Sequence, residues 1–245
     1  PPEGLLDIEE PRIYFGELSP TYSVVGGPEG TTPIELDYPD DASPTGQVNN
    51  TYAGNGGAPV GSLFQRLVFA TKFQESNILL TDLINEESRI LWDRAPLVRV
   101  EKIAPWLTLD QDPYPAVIDG RIVWIVDGYT TTNDYPYSSR VSLGEVTSDS
   151  ITVRTGSAAI APSDQLNYAR NSVKAVVDAY EGTVNLYAWD ESDPILQTWM
   201  KAFPGVVEAR SAMPMEIEAH VRYPQDLFKV QRVVLSRYHV TDPAT

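Results

Sequence analysis

The chain is 245 residues long, 42% hydrophobic and 21% charged, proportions that belong to a folded globular sequence able to bury a sizeable core. Eighteen Lys and Arg against 34 Asp and Glu leave a formal net charge of −16, which repels polyanions and speaks against nucleic acid or anionic headgroups as partners. Cysteine is absent, so thiol catalysis, thiolate metal centres and disulfides are excluded, and no apolar run reaches the ~18 residues that would span a bilayer.

The first segments, 12–18, 21–25 and 33–38, are short β-prone runs separated by Pro and Gly, and predict a strand-rich entry. Residues 40–61 turn to Asp, Asn, Gly, Pro, Ser and Thr around Gly54-Asn55-Gly56-Gly57, the composition of a long loop. Ser62 then stands as an N-cap before apolar residues three and four apart, which predicts a buried helix over 63–70. Two shorter helices are expected over 76–84 and 85–92, the second opened by Asn85 with Glu86 and Glu87 in its first turn, and Pro96 is expected to close the group.

Asp119-Gly120 between 116–118 and 121–126 predicts a hairpin with a two-residue turn, because Gly120 accepts the positive φ such a turn needs. Its register places Val117, Ile122, Trp124 and Val126 on one face and Ala116, Ile118, Val123 and Ile125 on the other. Both faces are apolar, so this hairpin should be central. A second hairpin is expected over 173–189 with its turn at Glu181-Gly182. One of its faces carries Val173, Ala175, Val177, Ala179, Val184, Leu186 and Ala188; the other carries Lys174, Asp178, Tyr180, Asn185, Tyr187 and Trp189 and is expected to meet solvent or a partner.

Residues 138–163 are rich in Ser, Thr, Gly and Ala and are read as a surface insertion, with a small strand at 150–154. Asp193-Pro194 is a helix start, an N-cap carboxylate before a first-position Pro, followed by an apolar stripe through Phe203 to the Pro204-Gly205 stop. A last helix is expected from Pro224, with Leu227, Val230, Val234, Leu235 and Tyr238 on one face. The fold class is α+β: an antiparallel or mixed sheet built on two central hairpins, flanked by several helices, in one domain over 1–245.

Few residue patterns carry chemistry. His220 and His239 stand in different elements without metal-ligand spacing. Asp37, Asp40 and Asp41 form one acidic loop, and Asp110 and Asp112 another; oxygen-rich loops of this kind could hold Ca²⁺, although neither matches the helix-flanked calcium loop and ordinary Asp turns explain both. Gly54 to Gly61 could aim N–H groups at an anion, but no Lys-Ser or Lys-Thr follows. Asp110, Asp112 and Asp127 are the carboxylates that would serve a hydrolase or transferase as acid, base or metal ligands. Tyr129, Tyr135 and Tyr137, beside Thr130-Thr131-Thr132, suit recognition of a protein or glycan surface, as does the second hairpin's face bearing Asp178, Tyr180, Asn185, Tyr187 and Trp189.

Several stretches together resemble the bacterial membrane-protein family known as uncharacterised protein family 0182. They are Pro11 to Glu17, Ser88 to Leu91, Lys102 to Leu107, Asp110 to Tyr137, Asn167 to Lys174, Asp178 to Val184, the Asp193-Pro194 helix and Arg222 to Phe228, so the resemblance covers nearly the whole chain. It implies several N-terminal membrane-spanning helices followed by a large extracytoplasmic region at the cell membrane, of which this chain would be the folded part. The chain's Pro1-Pro2-Glu3 start agrees with a piece of a longer protein. The expected partners are then the membrane-spanning segments of the same polypeptide and an envelope protein or glycan. The resemblance implies no catalytic residues and no cofactor.

Overall fold

The computed structural model describes residues 7–28, 30, 32–147 and 165–236. It divides into two compact units, Glu10–Ala95 with Ala179–Thr183, and Pro96–Asp178 with Val184–Thr245 and Pro1–Glu9. The described residues form helices and antiparallel sheets, an α+β fold.

In the smaller unit, β1 (Tyr22–Val25) and β4 (Ala58–Pro59) flank β5 (Arg89–Trp92), while β2 (Glu35–Pro39) and β3 (Gln47–Asn50) form a separate bulged pair. Residues 85–92 are therefore not a helix. The Asn85 side chain accepts from the Glu87 N–H at 2.9 Å and Asn85 N–H donates to the Ser88 hydroxyl at 3.0 Å, which closes a turn where a helix would begin. Ile90 and Leu91 are then both fully buried, one on each side of a strand paired at both edges.

Residues 12–18 form no strand either. The Tyr14 and Phe15 N–H groups both donate to the Ala179 carbonyl, at 2.8 Å each, which leaves no ladder. The long loop at 40–61 contains β3 and β4, and its glycines serve packing: Gly57 has φ 71°, and a Cβ there would lie 2.2 Å from the Ile90 carbonyl oxygen.

Helix α1 (Leu63–Phe73) begins as expected, with Ser62 and Gln65 exchanging hydrogen bonds in a capping box. It is not buried. Leu63 and Phe64 are 75% and 74% exposed, and Ala70 alone among its residues is buried. Helix α2 (Asn77–Leu80) is a single turn. Val60, Ala70, Ile78, Ile84 and Ile90 form the core of this unit, and Phe15, Val25, Tyr52 and Leu91 a second cluster.

The larger unit opens with α3 (Pro96–Ile103), so Pro96 starts a helix, as its fixed φ allows, and does not end one. Its sheet runs β12 (Val184–Ala188), β11 (Tyr168–Asp178), β8 (Arg121–Thr132); β7 (Tyr114–Ile118) and β6 (Thr108–Leu109) pair with successive parts of β8. The first hairpin has the expected register, Val117 opposite Ile122, with Asp119 and Gly120 at φ 48° and 72°.

The second hairpin pairs Val177 with Val184, so its connection is longer than the expected two residues. The slip is two positions, which preserves the expected faces. The face expected to meet solvent or a partner is instead largely covered: Val176 and Tyr187 join Val123, Ile125, Met213 and Ile217 in the core. The cover comes from a 3-10 turn, Arg210–Ala212, and α6 (Met215–His220), elements too short to show periodicity in the sequence.

In the stretch expected to be a surface insertion, β9 (Val141–Ser142) pairs with β10 (Gln165–Leu166), and α4 (Leu143–Thr147) follows β9. The expected strand at 150–154 lies outside the described residues, as do Tyr238 and His239. Helix α5 (Pro194–Ala202) starts at Asp193 as expected, and α7 (Gln225–Ser236) follows Pro224. On α7 Asp226 and Lys229 are buried, Leu227, Val230 and Val234 of the expected apolar face are half-buried, and Leu235 is exposed.

Candidate functional site

The larger unit places a lysine and a carboxylate opposite each other in the middle of its sheet. Lys174 on β11 and Asp127 on β8 are register partners, 1% and 3% exposed, and Lys174 Nζ donates to Asp127 Oδ1. The pairing of β11 with β8 shifts between Asn171 and Val173, a bulge with Ser172 as the extra residue. The bulge brings Asn171 and Lys174 to the same carboxylate, Asn171 Nδ2 donating to Asp127 Oδ1 at 2.8 Å. Ser172 donates at 2.6 Å to a different buried carboxylate, Asp193. Burial pushes the Asp127 carboxyl up and the Lys174 ammonium down, outweighing their mutual attraction.

Asp110 is buried beside this pair. Its Oδ2 accepts from the Tyr129 hydroxyl and, at 2.9 Å, from the Asp226 N–H; its Oδ1 accepts from the Asp112 N–H at 3.0 Å. Asp226 in turn accepts from the Gln111 N–H at 3.0 Å. The 110–112 loop and the start of α7 are thus tied in both directions, Asp110 accepting from the Asp226 N–H and Asp226 from the Gln111 N–H, a favourable use of the helix N-terminus. Burial and the Asp110 charge push the Tyr129 phenol far above its ordinary range. The Gln225 amide, turned to satisfy both neighbours, donates to Asp112 and accepts from Lys229 Nζ at 3.1 Å.

A cavity of about 710 Å³ opens over the pair. Lys174 and Asn171 line it from β11; Trp189, Asp190 and Glu191 from the stretch after β12; and Arg210, Glu218 and Arg222 from the covering segment, three cations against three carboxylates. The Arg210 guanidinium lies 3.9 Å over the Trp189 ring and bonds Glu218 at 2.7 Å; Lys174 Nζ lies 5.1 Å from the same ring. Arg222 stands 4.8 Å over the Tyr114 ring, and its N–H donates to the Tyr114 hydroxyl at 2.9 Å. Burial pushes the Tyr114 phenol up to about 12.

Of the residues expected at a binding surface, Trp189 lines this cavity. Tyr187, 5% exposed, is core, and Tyr129, 3% exposed, bonds Asp110, so neither is a surface aromatic. Asp178 pairs with Arg121 at 3.2 Å, and Asn185 is exposed. Tyr180 belongs to the smaller unit, where its hydroxyl accepts from the Ala53 N–H at 3.1 Å. Tyr135 and Tyr137 are exposed, Tyr135 stacking on Tyr168 with ring centres 5.6 Å apart.

Asp110 and Asp112, the candidate calcium ligands, are engaged by the bonds described above. Among the described residues no group of three or more His, Asp or Glu side chains is placed to hold a metal ion. Asp37 pairs with Arg12 at 2.9 Å and Asp40 caps its own turn at 2.9 Å. His220 is exposed, with Nδ1 2.7 Å from the Glu216 carbonyl oxygen. Asp110, Asp112 and Asp127 do not line the cavity; Lys174 does. Lys174, Asn171, Arg210 and Arg222 were not identified as site residues from the sequence. A lysine in the apolar run 173–179 was the one available signal, since an unpaired ammonium is not buried in a sheet.

The sequence profile of the uncharacterised protein family UPF0182 matches residues 1–245. A UPF0182 protein of Kineococcus radiotolerans is 58% identical over 246 aligned residues, covering 100% of this chain and 24% of that protein. Relatives from Frankia alni and Streptomyces coelicolor are 56% and 54% identical, with 99% and 100% of this chain covered against 23% and 24% of theirs. The chain therefore spans about a quarter of the length of the curated relatives it matches. No solved structure matches it. Among the described residues no helix is long and apolar enough to cross a membrane.

Proposed function

The chain belongs to the uncharacterised protein family UPF0182, and we propose that within the longer polypeptide it is an extracytoplasmic binding domain of a polytopic membrane protein, its ligand seated in the cavity over Lys174. The observation that carries this reading is the wall of that cavity. It combines a buried, ion-paired lysine, two arginines over aromatic rings and Asn171, in a volume within the ~300–1,000 Å³ of small-molecule sites. The membrane setting rests on the sequence resemblance alone; the relatives are about four times the length of this chain.

The second reading, a cell-envelope hydrolase or transferase working through Asp110, Asp112 and Asp127, draws support from the raised Asp127 carboxyl beside Asp110. Two features weigh against it. Asp110 is saturated with hydrogen bonds, and none of the three carboxylates reaches the cavity wall.

A thermal-shift screen of small molecules on the chain, repeated on Val221→Trp, tests the binding reading. Val221 lines the cavity and packs against the core of the larger unit, and an indole there occupies part of the cavity. Compounds that stabilise the parent and leave the folded variant unmoved support the reading; compounds that stabilise both equally defeat it. Accessibility of the domain to protease added outside intact cells tests its location: protection there, with cleavage only after lysis, contradicts an extracytoplasmic domain.

A further inference from the structure

Lys174 and Asp127 are placed to react with each other. They are register partners on β11 and β8, and residues directly opposite in an antiparallel ladder have Cβ atoms about 4.5–5.5 Å apart, a gap that a lysine and an aspartate side chain bridge without moving either strand. Both side chains are almost fully buried, and Lys174 Nζ is already in contact with Asp127 Oδ1.

Three features favour condensation over a lasting ion pair. Burial favours the uncharged amine and the uncharged acid, the forms in which the nitrogen is a nucleophile and the carboxyl carbon can be attacked. Asn171 Nδ2 donates to the same Oδ1 at 2.8 Å, which steadies that oxygen as it takes a proton and departs. The Arg222 carbonyl oxygen lies 3.4 Å from Lys174 Nζ, an acceptor for the single N–H that an amide keeps. The product also replaces two desolvated charges with one neutral group.

We infer that Lys174 and Asp127 condense into an intramolecular amide bond that joins β11 to β8. The Nζ–Cγ bond forms and the Cγ–Oδ1 bond breaks; Oδ1 leaves with two protons of the ammonium as one water, and Oδ2 stays as the amide oxygen. No oxidant, cofactor or activated donor is consumed. The cavity that Lys174 lines gives the water an exit. The salt bridge is then the state before condensation, and the energetics of two paired buried charges apply to that state. The bond closes a covalent loop through the unfolded chain, as a disulfide would, in a sequence without cysteine. It requires no ligand in the cavity.

Tryptic peptide mapping of the denatured protein, taken from the longer polypeptide as cells make it, tests this. Trypsin should release residues 122–140 joined to 171–201, uncut after Lys174 and lighter by one water than the two peptides together. Lys174→Arg should release 122–140 alone and at full mass, with cleavage after position 174.

Peptides 122–140 and 171–174 recovered apart, with no joined species, overturn the inference. So does a 122–140 peptide one water short in place of the joined species, because Asp127 would then have closed on the N–H of Gly128 as a succinimide.

Discussion

Lys174 and Asp127 face each other across the β8–β11 ladder, both almost fully buried, and Lys174 alone of the two reaches the cavity wall. Removing one partner leaves the other charge buried and uncompensated, at a cost of about 3–5 kcal/mol. Lys174→Met should therefore destabilise strongly, whereas Lys174→Met with Asp127→Leu should recover most of the loss. Urea unfolding of the parent and both variants checks this, and a double variant no more stable than the single one contradicts it.

Tyr129 makes the structure sensitive to alkali. Its folded pKa lies above that of an exposed tyrosine, so the folded state holds the proton more tightly than the unfolded chain. That contribution is fully present below about pH 10 and is lost as pH rises beyond it. Tyr114, pushed up to about 12, acts in the same direction. Denaturation midpoints should fall above about pH 10, less steeply in Tyr129→Phe. Full phenolate formation near pH 10 in the folded protein is the contrary result.

Asp193 governs the acid side. Burial raises its carboxyl, but hydrogen bonds from Ser172, Thr130, Tyr168 and the Ile195 N–H outweigh that and hold it below the ordinary range. Its stabilisation is present above about pH 4 and disappears as pH falls through the folded value. Asp193→Asn should be less stable than the parent at neutral pH, by about 2 kcal/mol, and the gap should close in acid. A gap independent of pH would assign the loss to shape instead of charge.

Gly57 is constrained twice, by a φ of 71° and by the Ile90 carbonyl oxygen 2.2 Å from where a Cβ would stand. Gly57→Ala should cost at least about 1 kcal/mol, and more as β4 is pushed off β5. Gly30, also at positive φ but with nothing within 4 Å, is the control that should lose less. Equal melting temperatures for the two variants would contradict the close approach.

Legibility in the sequence followed how local each signal was. Asp119-Gly120 and Asp193-Pro194 state a turn and a helix start within two residues, and both elements form there. Asn85 is ambiguous, because the same side chain that caps a helix also closes a turn, and pairing with β1 and β4 decided for the strand. The outward face of α1 could not be read, since its apolar residues look alike whether covered or exposed. At the site, Trp189 was within reach of face-counting, but Arg210 and Arg222 come from an irregular segment whose placement is wholly tertiary.

The most direct test of a ligand cavity over Lys174 is an NMR titration that follows the indole N–H signals, with Trp189→Phe assigning that of Trp189. A ligand from the thermal-shift screen should move the Trp189 signal in a saturable way and leave that of Trp92, in the smaller unit, in place. A saturable shift at Trp92 with Trp189 unmoved would contradict the account.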